Sequence, residues 1–306
     1  MKAISAVSPV AGNHTVVAAI QHVRSMHGGA QAQLMRCSDG KLYVVKFRNN
    51  PQDVRILANE FIVSKLARLV GLTVPAPAIV EVEEWLVENS PGLTIKLVGR
   101  EIPCASGLQF GSQYAIDPIM GRIVDFIPAT FLGRVRNIEE FAGILAVDKW
   151  TNNSDGRQAV YFRRSRERKY TATFIDYGYC FNGGEWTFPD YPLRGAFPRN
   201  DVYRDITGWE SFEPWLSRME NLDKDLIWGV AGSVPPVWYN SQWDELRQLA
   251  ETLIKRQAII RDLIRGFQAS PRRPFPKWGW AKKYWLPESH AVDSAPHNLP
   301  MTEAVG

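Results

Sequence analysis

Three charged residues each interrupt or end a short patterned run: Lys46 in LYVVKF, Asp155 in NNSDGRQ and Asp176 in TFIDYG. Strand side chains alternate, so Leu42, Val44 and Lys46 share a face that is apolar until the lysine. After Pro51 a helical spacing sets Glu60 one turn from Ile56 and Leu57 on one side and from Val63 and Ser64 on the other. A carboxylate beside a buried stripe is costly unless paired. Lys46, fourteen residues earlier, is the partner that the order of elements offers. A lysine steadied by a glutamate suits the holding of phosphate oxygens; a plain ion pair, or a solvated strand end, fits the same residues. Asp155 lies on a polar loop, where it could orient or deprotonate a hydroxyl. Asp176 ends an apolar strand, where it could hold a divalent cation against phosphates. Both are also ordinary turn formers. Read in order, the set is suited to phosphoryl transfer from ATP.

The elements that must position these residues follow from the patterns around them. Residues 15–47 read as strands, TVVAAIQHV, QLMRC and LYVVKF, with Ser38-Asp39-Gly40 as a hairpin turn. The first turn holds Gly28, Gly29, Ala30 and Gln31. Its small residues would let backbone N–H groups approach a phosphate, although it is neither a GxGxxG nor a Walker loop and also reads as a simple tight turn. Gln52 to Val70 reads as a helix capped by Gly71. Residues 73–99 return to strand character in IVEVEEWLV and LTIKLVG. Beyond about residue 112 the chain is more helical. NIEEFAGILAVDKW reads as an amphipathic helix with Asn137 as cap and Glu140 three residues on. AVYFRR and YTATFIDYG form a hairpin whose basic loop, RRSRERK, is a solvated tip. Residues 183–215 give few signals, and one long helix runs from Ser241 to Phe267. The expected fold is α+β and two-lobed. Residues 1–112 form a small antiparallel β-rich N-lobe with one helix that binds nucleotide. Residues 113–268 form a larger, mostly helical C-lobe with the catalytic loop and metal site, and residues 269–306 form a basic, aromatic tail.

Bulk composition excludes several classes. The chain has 306 residues, 45% hydrophobic and 22% charged, with net charge +4. That is a globular body with a sizeable core, not a disordered or strongly nucleic-acid-binding chain. Cys37, Cys104 and Cys180 are too scattered for a disulfide framework or a zinc site, and five scattered histidines give no ligand spacing. No run of about 18 apolar residues would span a membrane, and the N-terminus lacks a secretory pattern, so a cytoplasmic location is expected. RRPFPKWGWAKKYW (272–285) mixes bases and aromatics. It suits docking onto the body, stacking on nucleic acid or a membrane interface.

The run GGAQAQLM, DGKLYVVKF, NEF, SDGRQAVYF and FIDYGY resembles the HipA-like kinases over roughly residues 15–267. The resemblance implies a protein-kinase-like and phosphoinositide-kinase-like fold and an ATP-dependent, Mg-dependent phosphotransferase, most plausibly acting on Ser/Thr of a protein. Lys46 would bind ATP phosphates with Glu60 as its partner, and Gly28, Gly29, Ala30 and Gln31 would cover the phosphates. Val44 and Phe110 would border the nucleotide, with Gln109 to Ser112 near the hinge. Asp155 would be the catalytic acid-base and Asp176 a metal ligand. The family places an asparagine five residues after the catalytic aspartate; here Val160 stands there and cannot ligate. Gln158 and Asn153 are the candidates to replace it. A nucleotide-binding pseudokinase, or a kinase of small molecules or lipids, therefore stays open beside the protein kinase.

Overall fold

The computed structural model describes residues 16–279. It opens with three consecutive strands, β1 (Val16–Ser25), β2 (Gln33–Cys37) and β3 (Leu42–Lys46), joined by the two predicted turns. Helix α1 (Arg55–Leu69) follows, then β4 (Pro77–Val82), a short helix α2 (Glu84–Glu88), β5 (Thr94–Leu97), β6 (Arg100–Pro103) and β7 (Gly107–Gln113). The order β1-β2-β3-β7-β4 closes into a barrel, because β1 and β4 pair in parallel while the other neighbours are antiparallel. Closure buries both faces of β2 and β3 almost completely. Met35, Val45, Phe47 and Val80 fill the interior.

α2 replaces the strand expected over EEWLV. The partner of β4 starts at Gly107, opposite Val82, so the chain beyond Val82 has no strand to pair with. A helical turn satisfies its own backbone bonds instead, and it sets Leu86 into the barrel cluster.

α1 lies between the barrel and the rest of the chain, with every residue from Ile56 to Ser64 buried. It ends as Gly71 predicts. Gly71 has φ +89°, its N–H reaches the Arg68 carbonyl at 2.9 Å, and the Leu72 N–H reaches that of Ala67 at 3.0 Å. These are the paired bonds of a left-handed helix terminus.

The remaining elements are β8 (Gly121–Val124), α3 (Glu140–Trp150), β9 (Gln158–Arg164), β10 (Thr171–Ile175), α4 (Trp215–Glu220), α5 (Lys224–Gly232), α6 (Trp243–Arg256) and α7 (Ile260–Gln268). The chain is thus α+β, with a β-rich N-terminal region and a helical C-terminal region. The expected hairpin is β9–β10, and β8 adds a third strand to it, so the sheet order is β10-β9-β8. The tip between β9 and β10 is largely exposed.

Three expectations give way here. α3 is not amphipathic: all eleven of its residues are buried, so polar faces such as Asp148 and Lys149 must find partners inside. Asn137 does not cap it. Its side chain pairs with both backbone groups of Ala172 on β10, at 2.8 and 2.9 Å, and Glu140 instead accepts from the backbone and hydroxyl of Thr73. The long final helix is two helices separated by a 3-10 turn at Gln257–Ile259. There Arg256 turns to the carbonyls of Lys149 and Trp150 at the end of α3, while Gln257 turns to those of Met219 and Leu222. These opposed anchors break the helix without breaking the apolar stripe of Leu246, Leu249, Leu253, Ile260 and Ile264, all buried.

Of the expected tail, residues 269–279 are described and dock on the body. Phe275 is buried, stacks on Trp278 at 5.5 Å and meets Tyr203, Phe212 and Phe267 edge-on. The rest of that segment, Lys282 and Trp285 included, and the N-terminal stretch before Val16 lie outside the described residues.

Candidate active site

Strand β3 delivers Lys46 to the seam between the barrel and the β8–β10 sheet. Its side chain is buried, and its ammonium donates to Glu60 of α1 and, at 2.8 Å, to Asp176 just past β10. Burial alone would depress the lysine, but the two carboxylates outweigh it and hold Lys46 above its usual range. Burial, with Asp176 adding to it, pushes the Glu60 carboxyl up against the pull of Lys46. Burial also opposes the charge on Asp176, yet Lys46 and then Arg157 bring its carboxyl below the usual value. The ammonium thus sits between two acids of different character, one deep and one facing a cavity.

That cavity, of about 250 Å³, is lined by Gly28, Gly29, Ala30 and Gln31 at the rim. Val44 and Phe110 form its apolar wall, and Lys46, Glu60, Gln158 and Asp176 its polar floor. The register explains the wall, since Lys46 lies opposite Phe110 in the β3–β7 pairing. Gln31 contributes less than its type suggests. Its side-chain amide is committed to both backbone groups of Lys96 on β5, at 2.8 and 2.7 Å, so only its backbone faces a ligand. The bonds stiffen the rim. Gly28 needs its glycine, with φ +128°.

Asp176 has φ +65°, a conformation that aspartate tolerates better than most residues but that still carries strain. Arg157 holds it there. One Arg157 amino group donates to the carbonyls of Ile175 at 2.5 Å and Asp176 at 3.1 Å. The guanidinium is clamped from the other side by both oxygens of Asp148, at 2.9 and 2.5 Å, and rests 4.4 Å from the Tyr177 ring centre. Neither side chain of this pair is exposed. The same carboxylate accepts from Asn153 at 2.9 Å, and the Asn153 carbonyl oxygen caps the Asp155 backbone at 3.0 Å. One buried aspartate therefore supports both the Asp155 turn and the Asp176 backbone.

This network corrects one expectation and qualifies another. Asn153 is buried and spent on Asp148 and Asp155, so it is not brought to Asp176 as a metal ligand. Gln158 is brought there: its amide donates to the second oxygen of Asp176 at 2.9 Å. Asp155 is exposed on the turn before β9 and is not among the residues that line the cavity; its carboxylate accepts from the Gly156 backbone at 2.7 Å. Val160 does line the cavity, so the position of the missing asparagine faces the site.

Some participants are not singled out by the sequence pattern. Asn59, next to Glu60, donates to the carbonyls of Gly178, Cys180 and Gly183 at 2.7 to 3.0 Å, latching the chain that follows Asp176. Its oxygen accepts from the Trp186 indole at 2.8 Å. Gln52 and Asp125 also line the cavity. Asp125 lies just past β8, a four-residue strand too short to be read from its pattern.

The donor set suits ATP with one divalent cation. Asp176 is the carboxylate at the cavity floor that Gln158 orients through its amide N–H, and Glu60 and Asp125 also line the cavity; a magnesium ion ordinarily takes one or two carboxylates and leaves the rest to phosphates and water. Among the described residues no group of three acidic, histidine or cysteine side chains converges. No helix among them is long and apolar enough to cross a membrane.

Residues 17–163, from β1 through most of β9, match the family described as HipA-like kinase. No curated protein matches the chain. Solved structures with a distant likeness include the proinflammatory kinase CtkA of Helicobacter pylori, at 12% identity over 80% of this chain and 99% of that one, TM-score 0.48. Others are the Golgi casein kinase, at 14% identity over 84% and 74%, TM-score 0.45, and hydra Fam20 with sugar, at 12% over 86% and 88%, TM-score 0.46.

Proposed function

Since residues 17–163 are of HipA-like kinase type, we propose that the chain is an ATP-dependent phosphotransferase that works with one Mg²⁺ and phosphorylates a hydroxyl, most simply of Ser or Thr. The observation that carries this is Lys46, buried between Glu60 and Asp176 on the floor of a cavity rimmed by a glycine turn. In this reading residues 1–112 act as the nucleotide lobe and residues 113–268 as the lobe that carries the catalytic turn. Lys46 gives up one of its carboxylate contacts to the phosphates and keeps the other, so its charge is already fixed in place when ATP arrives. Backbone N–H groups of Gly28 to Gln31 cover the phosphates, and Val44 and Phe110 flank the nucleotide. Asp176 and Gln158 would hold the metal, which when bound offsets phosphate charge. Asp155 is the acid-base residue. The acceptor oxygen bonds to the γ-phosphorus as the bridging P–O bond breaks, ADP leaves with the electron pair, and Asp155 takes the hydroxyl proton.

Labelled γ-phosphate tests the reading. Lys46→Ala, Asp155→Ala and Asp176→Ala should each reduce transfer, autophosphorylation included, by at least a hundredfold. Wild-type rates in Asp155→Ala and Asp176→Ala would remove the assignment. Val160, facing the cavity where a second ligand belongs, favours a second reading: a nucleotide-binding protein that turns over slowly or not at all. A thermal shift with ATP that does not depend on Mg²⁺, without turnover, would select it.

A further inference from the structure

We propose that the wider chamber beside the nucleotide cavity is the acceptor subsite, and that it selects hydroxyl acceptors carrying an anionic group, a carboxylate or a phosphate. The inference rests on the phosphotransferase reading and gives it a substrate class. The chamber, of about 750 Å³, shares a wall with the nucleotide cavity at Gln158, Val160 and Ile175. Its other side is built by residues that the nucleotide reading does not use: Arg24, Phe126, Phe197 and Arg199. Such a volume takes a small molecule or a few peptide side chains.

Two features connect the chamber to transfer chemistry. The segment carrying Phe197 and Arg199 is stitched to the Asp155 turn. The Gly195 N–H donates to the Asp155 carbonyl at 3.1 Å, and the Arg157 N–H donates to the Ala196 carbonyl at 3.2 Å. Pro198 also closes on Gly156, its ring 3.9 Å from where a Gly156 side chain would begin. The chamber is therefore lined by Arg157 and Pro198, which flank the turn that bears the proposed acid-base residue, while Asp155 itself lies outside the lining.

The second feature is charge held in a fixed geometry. The Arg199 guanidinium lies 4.7 Å from the Phe126 ring centre and 5.8 Å from that of Phe197, and donates to the Ile127 carbonyl at 2.8 Å. Its plane is thus set before a ligand arrives, which favours the forked pairing of arginine with carboxylate or phosphate. Arg24 adds an exposed positive charge from β1, and His27 lines the same chamber. Against these stands Asp125 at the border with the nucleotide cavity; Arg157 also lines the chamber, but its charge is matched by Asp148. The excess is positive.

The test uses the full chain with Mg²⁺ and two sets of probes. One is a set of serine peptides flanked by Glu, Gln or Lys. The other is glycerol, glycerate and glycerol phosphate. Transfer of labelled γ-phosphate gives kcat and KM for each probe. Direct binding in the presence of ADP is read by anisotropy for fluorescent peptides and by calorimetry for the small acceptors. The expected result is at least a tenfold advantage for the anionic member of one set, and the set that shows it identifies the source. Arg199→Ala should remove that advantage through the KM of the acceptor rather than that of ATP. Arg199→Glu and the exposed Arg24→Glu should shift preference toward the Lys-flanked or neutral member. No anionic preference in either set, or a preference untouched by both charge reversals, overturns the proposal. If the wild type transfers no phosphate, the phosphotransferase reading fails on its own, and anion-selective binding lost in Arg199→Glu still decides for or against the chamber.

Discussion

The Asp148–Arg157 pair allows the most demanding test of how the site is held. Asp148→Ala leaves a guanidinium with no exposed surface and no carboxylate. Removing one member of such a pair typically costs about 3–5 kcal/mol, because the other charge stays buried. Arg157 keeps two carbonyls and the Tyr177 ring, which argues for the lower end, and loss of the Asn153 bond adds about 1 kcal/mol. The sum is about 4 kcal/mol. Urea unfolding at neutral pH should show it as a lower midpoint with an unchanged slope, and the melting temperature should fall by roughly 6 °C. Asp148→Asn should cost less, since one oxygen can still accept. In Asp148→Ala with Arg157→Met, much of the loss should return, because the orphaned charge is gone. Transfer activity should drop in Asp148→Ala even where the protein is folded, since both the Asp155 turn and the Asp176 carbonyls lean on this pair. A cost below about 1 kcal/mol, or strict additivity in the double variant, would refute the reasoning.

Lys149 supplies a pH signature. It is buried, donates to the carbonyls of Pro192 and Arg194, and burial lowers it from 10.5 to about 8. Between those values the folded chain has shed a proton that the unfolded chain still holds, so this group makes stability rise with pH, by at most about 3 kcal/mol. The buried thiols, raised in the fold, work in the opposite direction. The measurement is therefore the difference between wild type and Lys149→Met in urea midpoint from pH 7.5 to 10.5, and a flat difference would count against the account. Val160→Asn should restore an oxygen at the position that faces the cavity. Transfer is expected to rise several-fold, with a lower Mg²⁺ requirement; no change in either would mean that the second metal position is not used.

The parts of the fold that could be read were those whose pattern is local. Lys46 and Glu60 reveal each other because a strand and the next helix fix their faces, and Gly71 marks its helix end through a conformation that few other residues adopt. What escaped was decided by distant partners. α2 forms because β7 starts too late to pair with the chain beyond Val82. Asn137 faces a strand thirty-five residues away in place of its own helix end. α3 has a mixed sequence that suggests a wet face, but Arg157, Asn153 and two carbonyls satisfy its polar groups internally. Asn153 and Gln158 were equal candidates by position; only the Asp148 network separates them. No pattern gives Asp125 or Asn59 a role, since a single acid past a short strand and an amide inside a helix look like ordinary surface residues.

Asn59 has a consequence for how this molecule ages. Its side-chain nitrogen faces three carbonyl oxygens, and the chain it latches includes Phe181, Asn182 and Gly183, all with positive φ. Hydrolysis of that one amide would replace a donor with a negatively charged oxygen. The change is nearly silent in mass and shape, yet it would turn three attractions into three repulsions directly behind Asp176. Within the fold the residue is shielded from water, as it is fully buried. The fold thus guards this amide, and its hydrolysis is expected only where the chain around it has first opened.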